Sequence, residues 1–166
     1  MKIGAFRTAW FLFALCCAHF GWSQTSSCPN SGFDGGNFSG WTGGTGYCCP
    51  ISIGNNVIVA GRHTIMSGPG TDPNTDGAIP VVAPGGGAYS ARLGNRNTDA
   101  EAERLSYTIN VDASNALFVY RYAVVLEDPS HDPSEQPRFE IRMFDQSGAS
   151  IDCGVYNVYS TSGIPG

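Results

Sequence analysis

Charge is scarce in this chain. Of its 166 residues only 14% are Asp, Glu, Lys or Arg, and a single lysine, Lys2, stands among the basic residues. The formal charge of −5 speaks against nucleic acid and against an anionic membrane surface, since both reward a basic face. No apolar run reaches the roughly twenty residues that a bilayer span requires. Catalytic signatures are missing as well: there is no G-x-S-x-G elbow, no H-E-x-x-H and no phosphate-binding glycine loop. Pro84-Gly85-Gly86-Gly87 falls between strand-like segments with no helix after it, so its glycines serve a turn. The pattern is that of a non-enzyme. Carboxylate pairs for glycoside hydrolysis depend on three-dimensional spacing, which leaves Glu101 and Glu103 to be placed; they are expected to share one face of a solvated strand edge.

What is plentiful is punctuation. With 22 Gly and 10 Pro the chain disfavours a helical bundle, while 42% apolar residues argue against wholesale disorder. The length suits one domain with a core of ordinary size.

The N-terminus reads as an address. Lys2 and Arg7 precede an apolar run over residues 9–22, interrupted only by His19 and Gly21. That is the size of a signal-peptide apolar region, and Gly21-Trp22-Ser23 supplies a small-x-small cleavage site. The expected organisation is a signal peptide over residues 1–23 and one module over residues 24–166, secreted or held at the outer cell surface, with no membrane span after cleavage. Lipidation is disfavoured, because Leu15 and Cys16, neither of them small enough, precede Cys16 and Cys17. Cleavage leaves Cys28, Cys48, Cys49 and Cys153. An even set in an exported chain reads as disulfides, and zinc lacks its C-x-x-C or paired-His spacing. Neighbouring cysteines rarely close their strained ring, so Cys28 is expected to pair with Cys48 or Cys49, and Cys153 with the other.

The body alternates between strand patterns and turns. Leu105, Tyr107, Ile109 and Val111 point one way and Ser106, Thr108 and Asn110 the other, a half-buried strand over 104–111. Residues 116–126 are apolar on both faces apart from Arg121, as in a central strand of a packed sheet. Phe139, Ile141 and Met143 mark another strand, and 56–60, 62–66, 88–93 and 151–159 are weaker candidates. Residues 99–104 carry a slight helical flavour. Short strands at this spacing point to an all-β antiparallel sandwich. The ending Ser162-Gly163-Ile164-Pro165-Gly166 is turn-like and closes nothing, so the sandwich is expected to be truncated there.

Cys28-Pro29-Asn30 followed by GFDGGNFSGWTG (residues 32–43) resembles the opening of jelly-roll, carbohydrate-binding-like modules. The stretches GRHTIMSGPGTDP (61–73), IPVVAPGG (79–86), YSARLGN (89–95), AERLSYTINV (102–111) and YAVVLEDPSHDPSEQPRFEI (122–141) are similar to a narrower family. These are amino-terminal modules of large secreted surface proteins of gliding bacteria, which carry PKD repeats and a type IX sorting signal. The resemblance implies a jelly roll that continues past this chain, further domains of the same parent protein as neighbours, a surface role and no established catalytic residues. It also places Asp34 where such modules often keep a calcium ligand near the first strand. The plain alternative is a turn acid beside Gly35-Gly36.

Three further features carry chemistry. Asp72-Pro73-Asn74-Thr75-Asp76-Gly77 matches D-x-N-x-D-G, the front half of a calcium loop. Ala83 at the twelfth position and the lack of flanking helices exclude an EF-hand. A sandwich-loop calcium site at Asp72, Asn74 and Asp76 therefore stands beside an acidic turn held by its own side chains, and the turn is the ordinary outcome. The loop over 127–135 gathers Glu127, Asp128, His131 and Asp132, which suit a polar ligand or a metal; a solvated connection is the plainer reading. Trp41, Tyr47, Tyr89, Tyr120, Tyr122, Tyr156 and Tyr159 offer flat surfaces for a sugar ring, although Trp41, Tyr120 and Tyr122 are expected in the core. His63 reads as a structural histidine.

The leading expectation is a non-catalytic surface module that binds glycan or mediates adhesion, with structural calcium as an accessory. A purely structural spacer and an accessory domain of a secreted hydrolase are the alternatives.

Overall fold

The computed structural model describes residues 28–113 and 115–160. The expected signal peptide over 1–23 and the turn-like residues 162–166 lie outside the described residues. The fold is all-β: strands β1 (Trp41–Tyr47), β2 (Ser52–Ile53), β3 (His63–Ser67), β4 (Tyr89–Leu93), β5 (Glu101–Tyr107), β6 (Arg138–Ile141) and β7 (Tyr156–Tyr159) are joined by turns and two single-turn 3-10 helices. Every strand pairing is antiparallel. No helix among the described residues is long and apolar enough to cross a membrane.

The strands form three small sheets, in the orders β2-β1-β5, β3-β4 and β6-β7. In the first, β1 runs the full length of β5, from Trp41 opposite Tyr107 to Tyr47 opposite Glu101. Glycine usually weakens a strand, but it also marks close backbone approach. Here a Cβ on Gly43 would lie 2.6 Å from Ile58 Cδ1 and 2.7 Å from the Val57 carbonyl oxygen, so residues 57–58 lie directly on β1. The opening motif is tied together by asparagine. Asn30 takes the left-handed φ of 60°, its Nδ2 donates to Asn37 O and Ser39 O, and its Oδ1 accepts from Gly35 N. Trp41 then donates from Nε1 to Asn30 O at 2.9 Å, stacks on Phe33 at 4.6 Å and leans on Tyr107 at 4.9 Å, close to its expected core role.

Two side chains just before and at the start of β3 join the first two sheets. His63, 3% exposed, accepts from Val59 N at Nδ1 (3.1 Å) and donates from Nε2 to Arg104 O of β5 (3.0 Å). Beside it, Arg62 engages Glu103 through Nε and Glu101 through Nη1 (3.2 Å), while Nη2 reaches Ala102 O (3.1 Å) and Gly46 O (3.3 Å). Glu101 and Glu103 do share a face, but they are half-buried around one guanidinium and not a solvated edge.

Several expectations need correction. The strand expected over 104–111 begins at Glu101 and ends at Tyr107, because the partner β1 ends at Trp41; residues 101–104 are thus strand and not helical. Residues 56–60 form no ladder: Asn55 bonds Thr45, and Val59 is held by His63. The central strand expected over 116–126 is absent as a ladder, with no backbone hydrogen bond to any described residue. Its apolar side chains stand open, Leu117 at 84% exposure, because among the described residues no strand edge lies alongside.

The disulfide expectation is also overturned. Cys48 and Cys49 are bonded to each other. Register explains why Cys28 is not their partner. Tyr107 donates its hydroxyl to Pro29 O at 2.9 Å, and Cys28 lies close enough to raise the Tyr107 pKa, after burial as the larger cause. Tyr107 pairs with Trp41 at one end of β1, and Cys48 follows Tyr47 at the other. Six strand steps separate those ends by about 20 Å, whereas disulfide-linked Cα atoms lie within about 7 Å. Cys153 is exposed in the turn Asp152–Gly154.

Candidate functional site

The β6–β7 register sets one face of that hairpin. Phe139 lies opposite Val158 and Ile141 opposite Tyr156, so these four apolar side chains point the same way. Residues 116–126 meet this face through Tyr122, which stacks on Phe139 (centroids 5.5 Å, planes 23° apart) and tilts against Tyr156 at 5.3 Å. The row continues along the chain: Tyr120 lies 5.7 Å from Tyr122 and Phe118 5.9 Å from Tyr120, with planes 33° and 35° apart. Rings at every second position on one side are the mark of extended backbone.

Five aromatic rings thus form one continuous row, and it is open. Tyr120 is 40% exposed and Tyr122 48%, with Phe118 and Tyr156 also exposed and Phe139 half-buried. The expectation that Tyr120 and Tyr122 belong to the core is therefore corrected. Burying both faces of a strand needs a layer on each side, and among the described residues only the β6–β7 face meets this segment. The Tyr122 hydroxyl is raised above its ordinary pKa, first by hydrogen bonding to Tyr156 and then by partial burial. Reading only Trp and Tyr misses Phe118 and Phe139; the i, i+2 spacing with Tyr120 and Tyr122 is the signal that finds Phe118.

The acidic loop follows this segment directly. Glu127, Asp128, His131 and Asp132 are all exposed. Their loop is shaped from within: Asp128 Oδ1 accepts from Ser130 N at 3.3 Å, Gln136 Nε2 donates to His131 O at 3.0 Å, and Glu135 N donates to Asp132 O at 2.8 Å. Carboxylates free at their outer oxygens accept hydroxyl hydrogen bonds well. Among the described residues no three His, Cys, Asp or Glu side chains are grouped to hold a metal ion.

The Asp72–Gly77 loop is closed by its own atoms. Asp72 is buried, its Oδ1 accepts from Asn74 N at 2.7 Å, and its Oδ2 lies 3.4 Å from Arg92 Nη1. Thr75 donates its hydroxyl to Asp72 O and accepts from Ile79 N, while Asp76 sits exposed at a left-handed φ of 49°. A cation bound at Asp72 would face the Arg92 guanidinium, which the geometry does not favour.

Asp34 is exposed elsewhere, at the edge of a shallow depression of about 340 Å³ lined by Ser67, Gly68, Val82, Gly87, Ala88 and Tyr89. A Cβ on Gly87 would come 3.2 Å from Asp34 Oδ1, and one on Gly36 would come 3.0 Å from the Tyr89 ring, so the opening loop lies against Tyr89.

No protein-family model, no curated protein and no solved structure matches this chain.

Proposed function

We propose that this chain is a secreted or cell-surface β-sandwich module of jelly-roll type that binds glycan without catalysis. The observation that carries the reading is the exposed aromatic row from Phe118 to Tyr122, continued by Phe139 and Tyr156. A pyranose presents an apolar C–H face, and a rigid ring buries it at small entropic cost. The exposed acids of the loop that follows this segment in sequence suit the hydroxyl groups of a bound sugar. The net charge of −5 favours neutral glycans over polyanionic ones.

Calcium belongs to this reading only at Asp34 and Asp76, the exposed carboxylates, because Asp72 is committed to Asn74 and Arg92. The module's neighbours in a parent protein would present it at the cell surface. The test is a screen of the folded protein on neutral polysaccharides, with calcium and then with chelator. Saturable binding supports the reading; silence in both conditions replaces it with a structural spacer.

A further inference from the structure

We propose that residues 116–126 form the pairing edge for a second copy of this chain, antiparallel and centred on Val124. The proposal does not rest on the glycan reading. Among the described residues this segment makes no backbone hydrogen bond, although its side chains alternate as a strand's do. Unpaired strand edges recruit other strands. The stretch from Ala116 to Asp128 contains neither Pro nor Gly, and Pro129, which lacks a backbone donor, ends the ladder.

Charge selects the partner and the register. The apolar tract Tyr122-Ala123-Val124-Val125-Leu126 is flanked by Arg121 and Glu127, both exposed, and neither forms an ion pair with a described residue. In an antiparallel pair centred on Val124, Arg121 of each copy lies opposite Glu127 of the other. Tyr122 then faces Leu126, and Ala123 faces Val125. A register centred on Arg121 would oppose two guanidinium groups, which destabilises directly facing pairs. The arrangement is isologous, so two ion pairs close one symmetric interface. Directly opposed residues share a face, so the aromatic rows of both copies stand on one side of the joined sheet. Two rows held together would bind a repeating ligand with avidity.

The experiment is sedimentation equilibrium on the purified protein and on two charge reversals, Arg121→Glu and Glu127→Arg, each alone and mixed. The wild type is expected to dimerise, and each reversal alone to weaken dimerisation about tenfold, since two attractive pairs become repulsive. Mixing the two variants restores opposite charges across the pair and is expected to recover a heterodimer of wild-type strength. Both substitutions sit on exposed positions, so folding is preserved and circular dichroism verifies it. A wild type that stays monomeric at every concentration overturns the proposal. So does a dimer indifferent to both reversals, which would place association on another surface.

Discussion

The buried imidazole of His63 bridges Val59 and Arg104, accepting a hydrogen bond 3.1 Å from Val59 N and donating one over 3.0 Å to Arg104 O. One side chain thereby ties the β3–β4 hairpin to β5. Replacing it with leucine strands a backbone donor and a backbone acceptor in a buried position. His63→Leu is expected to lower stability by about 2–4 kcal/mol, read from the urea midpoint at unchanged slope. An unchanged midpoint would remove His63 from the junction.

Arg62 holds two half-buried carboxylates, Glu101 and Glu103. Arg62→Met leaves both uncompensated and is expected to cost about 2–4 kcal/mol. The triple variant Arg62→Met, Glu101→Gln, Glu103→Gln removes the stranded charges with the guanidinium, so it is expected to recover part of that loss. Denaturant titrations of the two variants check the order.

Asp145 closes the turn after β6. Its carboxyl is held below the usual range, first by the Ser147 hydroxyl and then by the Ala149 amide. A depressed folded-state value means that the contribution is present above the unfolded carboxylate pKa of about 3.9. It disappears as pH falls through the lower folded value. Amide exchange at Ala149, whose N–H donates to Asp145 at 2.9 Å, is expected to accelerate relative to the rest of the chain across that acidic window. Asp145→Ala is expected to show the faster exchange already at neutral pH.

The Asp72–Arg92 ion pair predicts that Asp72 itself takes no part in calcium binding. Asp72→Asn is expected to lower Tm by the same amount in calcium and in chelator. A saturable rise of Tm with calcium that Asp72→Asn abolishes would contradict this.

Alternation was the most legible feature of the sequence. Leu105 and Tyr107 against Arg104 and Ser106 marked β5, and 139 with 141 marked β6. The ends of β5 were not legible, because they are set by the length of β1 across the ladder. β1 itself was hidden by its glycines: WTGGTGY has no apolar period, and only residues 57–58 lying on it explain why small residues stand there. The run over 116–126 announced its need for burial but not its partner, since periodicity describes one strand and pairing involves two. The turn formed by Asp72, Asn74 and Thr75 was legible as one of two readings, whereas its contact with Arg92, twenty positions away, has no local signal. Cysteine pairing failed for the same reason, as nothing local places Cys28 and Cys48 at opposite ends of β1.

Binding to neutral polysaccharide by the folded protein and by the Tyr120→Ala, Tyr122→Ala double variant is the decisive measurement on the open aromatic row. Two exposed rings offer a sugar its flat apolar contact, and the double variant removes both. The wild type is expected to bind saturably, and the double variant about tenfold or more weakly at an unchanged far-ultraviolet circular dichroism spectrum. A double variant that binds as tightly as the wild type, or a folded wild type that binds none of the polysaccharides, would contradict the glycan reading.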